Sequence, residues 1–137
     1  MVLDQAVTTA LSIGVGCRAG CPADEIAALV ERAWGLAGRQ QAAQLFSVAD
    51  KRGEVGLATA AATLGLPLAF LPRETLAAVA PQVATASPAS RTRFDLPSIA
   101  EAAALAGAGP GGRLIVARLA TARATCAVAV LAQEGTS

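Results

Sequence analysis

Histidine and tyrosine are absent from this 137-residue chain, and aromatic residues make up only 3% of it. The first absence removes the commonest general base and the commonest metal ligand; the second removes a frequent proton donor. Charge is sparse too, at 15% of residues, with 11 basic against 10 acidic for a net +1. The basic residues are scattered rather than striped, which excludes a general nucleic-acid-binding surface. No apolar run reaches the roughly 18 residues that a membrane span takes. Met1–Gln5 has none of the basic residues that open a secretory signal. Cys17, Cys21 and Cys126 are an odd number of thiols without an export signal, so reduced cysteines in the cytoplasm are expected. Cys17-x-x-x-Cys21 has neither a histidine nor a second cysteine pair to complete a zinc set. No metal and no cofactor is therefore expected.

What the chain does have is apolar residue, 54% of it, drawn from Ala, Leu and Val. That is enough for one domain over residues 1–137 with a substantial core. Residues 6–16 read as a first strand, followed by a glycine-rich turn. Pro22 suits the first turn of a helix, and Asp24 and Glu25 suit its positive end. Ile26, Leu29, Val30, Ala33, Trp34 and Ala37 then recur at spacings of three and four, one apolar face that Gly38 terminates. Trp34 is read as packing in that face. Residues 44–49 form a second strand, and a helix with Leu57, Ala61 and Leu64 on one side ends at Gly65. Leu66–Leu71 is a third strand, and Pro72 opens a brief helix with Leu76 and Val79. Residues 80–97 lose all period and read mostly as loop. Ser98 and Glu101 fit a capping box for a helix to about Ala106. Arg113–Arg118 and Arg123–Leu131 close the chain as an antiparallel hairpin, with Cys126 in the core. Three strand-then-helix units predict an α/β fold with a mixed, mostly parallel sheet.

The stretch Gly14-Val15-Gly16-Cys17-Arg18-Ala19-Gly20-Cys21-Pro22, between strand and helix, has the makings of an anion site. Glycines let the backbone approach a ligand, helical N–H groups point at it, and Arg18 adds a fixed cation. Close packing of a helix on the sheet is the alternative account of the same glycines, though it leaves Arg18 between them without a structural task. The complete dinucleotide and P-loop patterns are both missing. Asp50-Lys51-x-x-Glu54 occupies the same end of the next strand, where α/β folds gather ligands, although a salt-bridged helix start also accounts for it. Ser87, Ser90, Arg91 and Arg93 supply further hydroxyl and guanidinium groups for oxygen anions, or a solvated turn. Cys17 gains thiolate character if the helix end and Arg18 lower its pKa. Glu101 is sufficiently explained by capping.

These motifs, in this order, resemble the CobE/CbiG C-terminal domain family of cobalamin-biosynthesis proteins. The likeness rests on Gly14-x-Gly16-Cys17-Arg18-x-Gly20, Asp50-Lys51-x-x-Glu54-x-Gly56-Leu57 and Gly65-Leu66-Pro67-Leu68. Ser87-Pro88-x-Ser90, Pro97-Ser98-Ile99-Ala100-Glu101-Ala102-Ala103-Ala104-Leu105 and Thr125-x-Ala127-x-Ala129 complete it. Two departures stand out: Asp95 where the family usually has glycine, and Arg118 where it commonly has lysine. The resemblance implies a three-layer α/β/α domain, and the chain's length favours the stand-alone form. It also implies a ligand, a corrinoid or precorrin intermediate such as hydrogenobyrinic acid, whose carboxylates suit Arg18, Lys51, Arg91, Arg93 and the loop amides. Three functions follow as expectations: binding or carrying that intermediate, hydrolysing a precorrin ring lactone through Cys17 or Glu101, or docking onto another enzyme of the pathway.

Overall fold

A computed structural model describes residues 10–38, 42–83 and 99–131. Strand β1, Ala10–Cys17, leads through a short loop into helix α1, Ala23–Leu36. Strand β2, Ala42–Val48, passes through a single 3-10 turn, Ala49–Lys51, into helix α2, Val55–Leu64. Strand β3, Leu68–Leu71, is followed by helix α3, Arg73–Ala78, and a single turn, α4, Ala80–Val83. Helix α5, Ile99–Ala108, precedes strands β4, Arg113–Ala120, and β5, Ala124–Val130.

The five strands lie in the order β3-β2-β1-β5-β4. β1 pairs with β2, and β2 with β3, in parallel, as strands linked by crossover helices must. β5 runs antiparallel to both β1 and β4, so it is the one strand of reversed direction. Helices cover both faces. Ile26, Leu29, Val30 and Ala33 of α1 join Leu57, Ala60 and Ala61 of α2 in one buried cluster on the sheet. Leu76 of α3 and Ala100, Ala102, Ala103, Ala104 and Leu105 of α5 form the cluster on the other side. The result is the three-layer α/β/α arrangement.

The hairpin has a tighter connection than its sequence indicates: β4 continues through Leu119 and Ala120, and only Thr121–Arg123 turn. The reason lies in β4's register. Leu114 faces Ala129 and Val116 faces Val128, so Ile115 is an extra residue; Val116 faces Val128 and Leu119 faces Cys126, so a second extra residue follows. Two bulges lengthen β4 and bend this edge strand, a feature that discourages edge-to-edge pairing.

Gly14 and Gly16, at the end of the strand expected over 6–16, lie inside β1, which continues to Cys17, opposite Ala127 and Thr125 of β5. A Cβ on Gly14 would stand 2.0 Å from the Ala100 carbonyl oxygen and 2.5 Å from the Ala104 nitrogen. The absent side chain lets α5 lie directly on the strand, so the packing explanation holds for Gly14, which is buried beneath the helix rather than offered to a ligand.

Candidate functional site: the loop at the carboxyl ends of β1 and β2

Because side chains alternate along a strand, Leu11, Ile13, Val15 and Cys17 point to the α1/α2 side while Ser12, Gly14 and Gly16 face α5. Cys17 thus ends the apolar row, and the chain emerges as the exposed segment Arg18-Ala19-Gly20 before Cys21 turns inward. The loop is closed by the Cys21 N–H donating to the Arg18 carbonyl at 3.1 Å. Gly20 takes φ 78°, a conformation that glycine adopts without a Cβ penalty.

Two outside contacts fix this loop. The Arg18 N–H donates to the Arg123 carbonyl at 2.9 Å, joining it to the turn of the β4–β5 hairpin. On the other side the Gly20 N–H donates to Oε1 of Glu54 at 2.9 Å. Glu54 immediately precedes α2, whose first turn sits hard against the loop: a Cβ on Gly56 would lie 2.3 Å from the Cys21 carbonyl oxygen. Lys51 and Glu54 both act electrostatically on Cys17, which brings the two predicted loops together.

Their chemistry departs from expectation at Cys17. Its thiol pKa is raised, not lowered, and burial is the main cause. Lys51 pulls the other way, Glu54 and Cys21 add to the rise, and Arg18 is not among the groups that act on it. Loss of hydration outweighs one nearby cation, so the thiol is held in its protonated, weakly nucleophilic form. Cys126 is pushed further, to about 12, by burial in β5.

Asp50 belongs to this end of the sheet but is already partnered: its carboxylate pairs with Arg73 at the start of α3, which holds its pKa below the ordinary value. Arg52, next to Lys51, places its guanidinium 5.9 Å from the centre of the Phe70 ring. Arg18 and Lys51 form no ion pair with any described residue. Val55, 76% exposed, stands beside Glu54 on the same rim. Ser87, Ser90, Arg91 and Arg93, together with Asp95 and Ser98, which the sequence reads as a helix cap, lie outside the described residues.

Glu101 is not part of this cluster. It is 1% exposed, on α5, and its Oε2 accepts the Arg118 N–H at 3.0 Å. That amide lies at the second bulge of β4, where the ladder is interrupted. The carboxylate therefore takes up a backbone donor that the bulge withdraws from β5.

One residue escaped the reading of the chain. Glu25, in the first turn of α1, accepts the Arg123 N–H at 3.0 Å and its Nε–H at 2.9 Å, and also bonds the Thr121 hydroxyl. It holds the hairpin turn that in turn holds Arg18. Its place near the helix N-terminus already explains an acidic residue, so nothing local marks a contact made 98 positions away.

Among the described residues no group of histidine, cysteine, aspartate or glutamate side chains could hold a metal ion. Nor is any helix among them long and apolar enough to cross a membrane.

Comparison with known proteins gives a consistent result. Residues 11–129 match the family described as Cobalamin synthesis G C-terminus. The chain is 38% identical over 121 residues to Protein CobE of Sinorhizobium sp, covering 87% of this chain and 79% of that protein. Its structure is similar to the crystal structure of CobE, a protein from the cobalamin (vitamin B12) biosynthetic pathway. The TM-score is 0.78 at 37% identity, over 91% of this chain and 92% of the other. It is also similar to the cobalamin biosynthesis protein chiG from Agrobacterium tumefaciens, with a TM-score of 0.70 and 40% identity, over 90% and 99% of the two chains.

Proposed function

The chain belongs to the Cobalamin synthesis G C-terminus family, a family of cobalamin biosynthesis, and from that premise we propose that it binds a carboxylate-rich corrinoid intermediate such as hydrogenobyrinic acid, as an accessory or carrier. The observation that carries this reading is the pair Arg18 and Lys51. Two cations flank the carboxyl ends of neighbouring parallel strands without an ion pair to any described residue. Cations that hold no ion pair at a strand end suit a ligand that brings several carboxylates. The exposed Val55 offers an apolar rest to a flat ring whose edges are charged.

Hydrolysis draws less support from the same geometry. Burial holds the Cys17 thiol in its protonated form, and Glu101 is enclosed and engaged by the Arg118 amide. The site is better suited to holding a macrocycle than to attacking one.

Titration of the purified protein with hydrogenobyrinic acid, followed by absorbance and by co-elution on gel filtration, tests the reading. The wild-type protein should shift the spectrum and carry the pigment. Arg18→Ala should weaken binding about tenfold or more, the cost of one charge-assisted hydrogen bond. A wild-type protein that neither shifts nor retains the pigment overturns the proposal.

A further inference from the structure

Glu54 puts a negative charge where a binder of polyanions has least use for one. Its carboxylate lies within electrostatic reach of Cys17 and accepts the Gly20 N–H at 2.9 Å across 34 positions of sequence. A ligand carboxylate approaching Arg18 and Lys51 is repelled by it. Some compensating task is needed, and the loop's other contacts show which one is missing.

The Arg18 N–H ties the loop's start to the hairpin turn, and the Cys21 N–H closes the loop on itself. Neither reaches the Ala49–Lys51 turn that carries Lys51. Gly20 itself is exposed, and the position of its absent Cβ has no atom within 4 Å, so packing does not hold it. Among the described residues, the Glu54 carboxylate supplies the hydrogen bond that joins the loop to the α2 side. Glu54 is anchored in turn, its N–H donating to the Lys51 carbonyl at 3.0 Å. One short chain of bonds therefore runs from Lys51 through Glu54 to Gly20, two residues from Arg18.

We propose that Glu54 is a positioning residue: it sets the spacing between Arg18 and Lys51 by holding the Arg18–Gly20 loop, and does not itself contact the ligand. This rests on the reading of the loop as a corrinoid site and assigns Glu54 a task within it. It separates two effects of the side chain that have opposite signs. As a hydrogen-bond acceptor Glu54 favours binding, because the loop is ordered before the ligand arrives. As a charge it opposes binding. Glutamine keeps an acceptor oxygen and loses the charge; alanine loses both.

The test compares wild type, Glu54→Gln and Glu54→Ala in two measurements on the full chain. In the ligand-free protein, exchange of the Gly20 amide by NMR should quicken about tenfold in Glu54→Ala and stay within about threefold of wild type in Glu54→Gln. In the hydrogenobyrinic acid titration, Glu54→Gln should bind at least as tightly as wild type, and Glu54→Ala about fivefold or more weakly than Glu54→Gln. Equal amide exchange in all three proteins overturns the positioning role, whatever the ligand does. Equal affinity of the two variants, with the wild type binding, also overturns it. A wild-type protein that leaves the pigment's spectrum unchanged overturns the corrinoid reading instead, and the amide comparison then judges Glu54's hold on the loop by itself.

Discussion

On one side of β1, Leu11, Ile13 and Val15 meet the Leu, Ile and Val side chains of α1 and α2; on the other, Ser12, Gly14 and Gly16 meet α5. The first face keeps its helices at ordinary side-chain distance and draws its stability from buried volume. The second brings a helix of mostly alanine down onto glycine, so that backbone approaches backbone. Small residues do opposite jobs from large ones here, since what matters is what they leave out. Ser12 shows how tight that side is. Its hydroxyl is fully buried without a hydrogen-bond partner, and a Cβ on Gly107 would stand 2.5 Å from it. The two faces should therefore fail differently, one by losing atoms and the other by gaining them.

Adding one carbon at the close approach should do the most damage. Gly14→Ala sets a Cβ against the Ala100 carbonyl and the Ala104 amide nitrogen, neither of which can rotate away. We expect a loss of at least about 3 kcal/mol, the upper end of overpacking costs, read as a fall in the urea midpoint or as failure to fold. Because the clash is with backbone, Ala104→Gly in the same chain should not restore stability. Recovery in the double variant would mean that side chains, not the helix backbone, set the distance.

Truncation on the large-residue face is the counterpart. Leu57 of α2 is fully buried in the core cluster that α1 and α2 share with the sheet, and Leu57→Ala should cost about 2–4 kcal/mol by lost burial and a residual cavity. Its effect should be graded, with Leu57→Met costing under about 1.5 kcal/mol. If Gly14→Ala proves milder than Leu57→Ala in the same urea series, the close-approach account of the α5 face is wrong.

The same contrast explains which parts were legible in the chain. The α1 face announces itself, because Ile26, Leu29, Val30 and Ala33 repeat at helical spacing and are the very residues buried. The strand-then-helix order, the stop at Gly65 and the closing hairpin are likewise local signals, and the structure keeps them. At the α5 side, Gly14-x-Gly16 carries the same letters whether it cradles an anion or admits a helix. Only the placement of the distant helix that begins at Ile99 decides between them, and sequence spacing holds no record of that. Cys17 misled for a related reason. Proximity to a cation can be guessed from neighbours in the chain, but the burial that outweighs it is a property of the assembled fold. Of the candidate site, the convergence of the first two loops was visible in their matching places after β1 and β2. The particular bonds from Glu54 and Glu25 were not, since each joins segments far apart in sequence.

The smallest expected effect concerns a polar tie rather than either apolar face. α1 stands off from the sheet on its large side chains, yet its first turn is fastened to the hairpin by Glu25. The Thr121 hydroxyl bond is the main cause that holds the Glu25 pKa below its ordinary 4.5, with the Arg123 amide and guanidinium adding to it. A carboxylate with a depressed folded-state pKa binds fewer protons folded than unfolded, so its stabilisation is complete above the unfolded value. It is lost as pH falls through the folded one. Glu25→Gln should therefore be less stable than wild type at pH 7, with the gap closing as pH drops from about 5 into the acid range. Asp50 has a lowered pKa as well and remains in both proteins, so the comparison isolates Glu25. Urea midpoints at pH 7, 5, 4 and 3 read the effect directly. A gap that stays constant over that range would show that the Glu25 side chain acts by shape, and that its charge contributes nothing to holding the hairpin against α1.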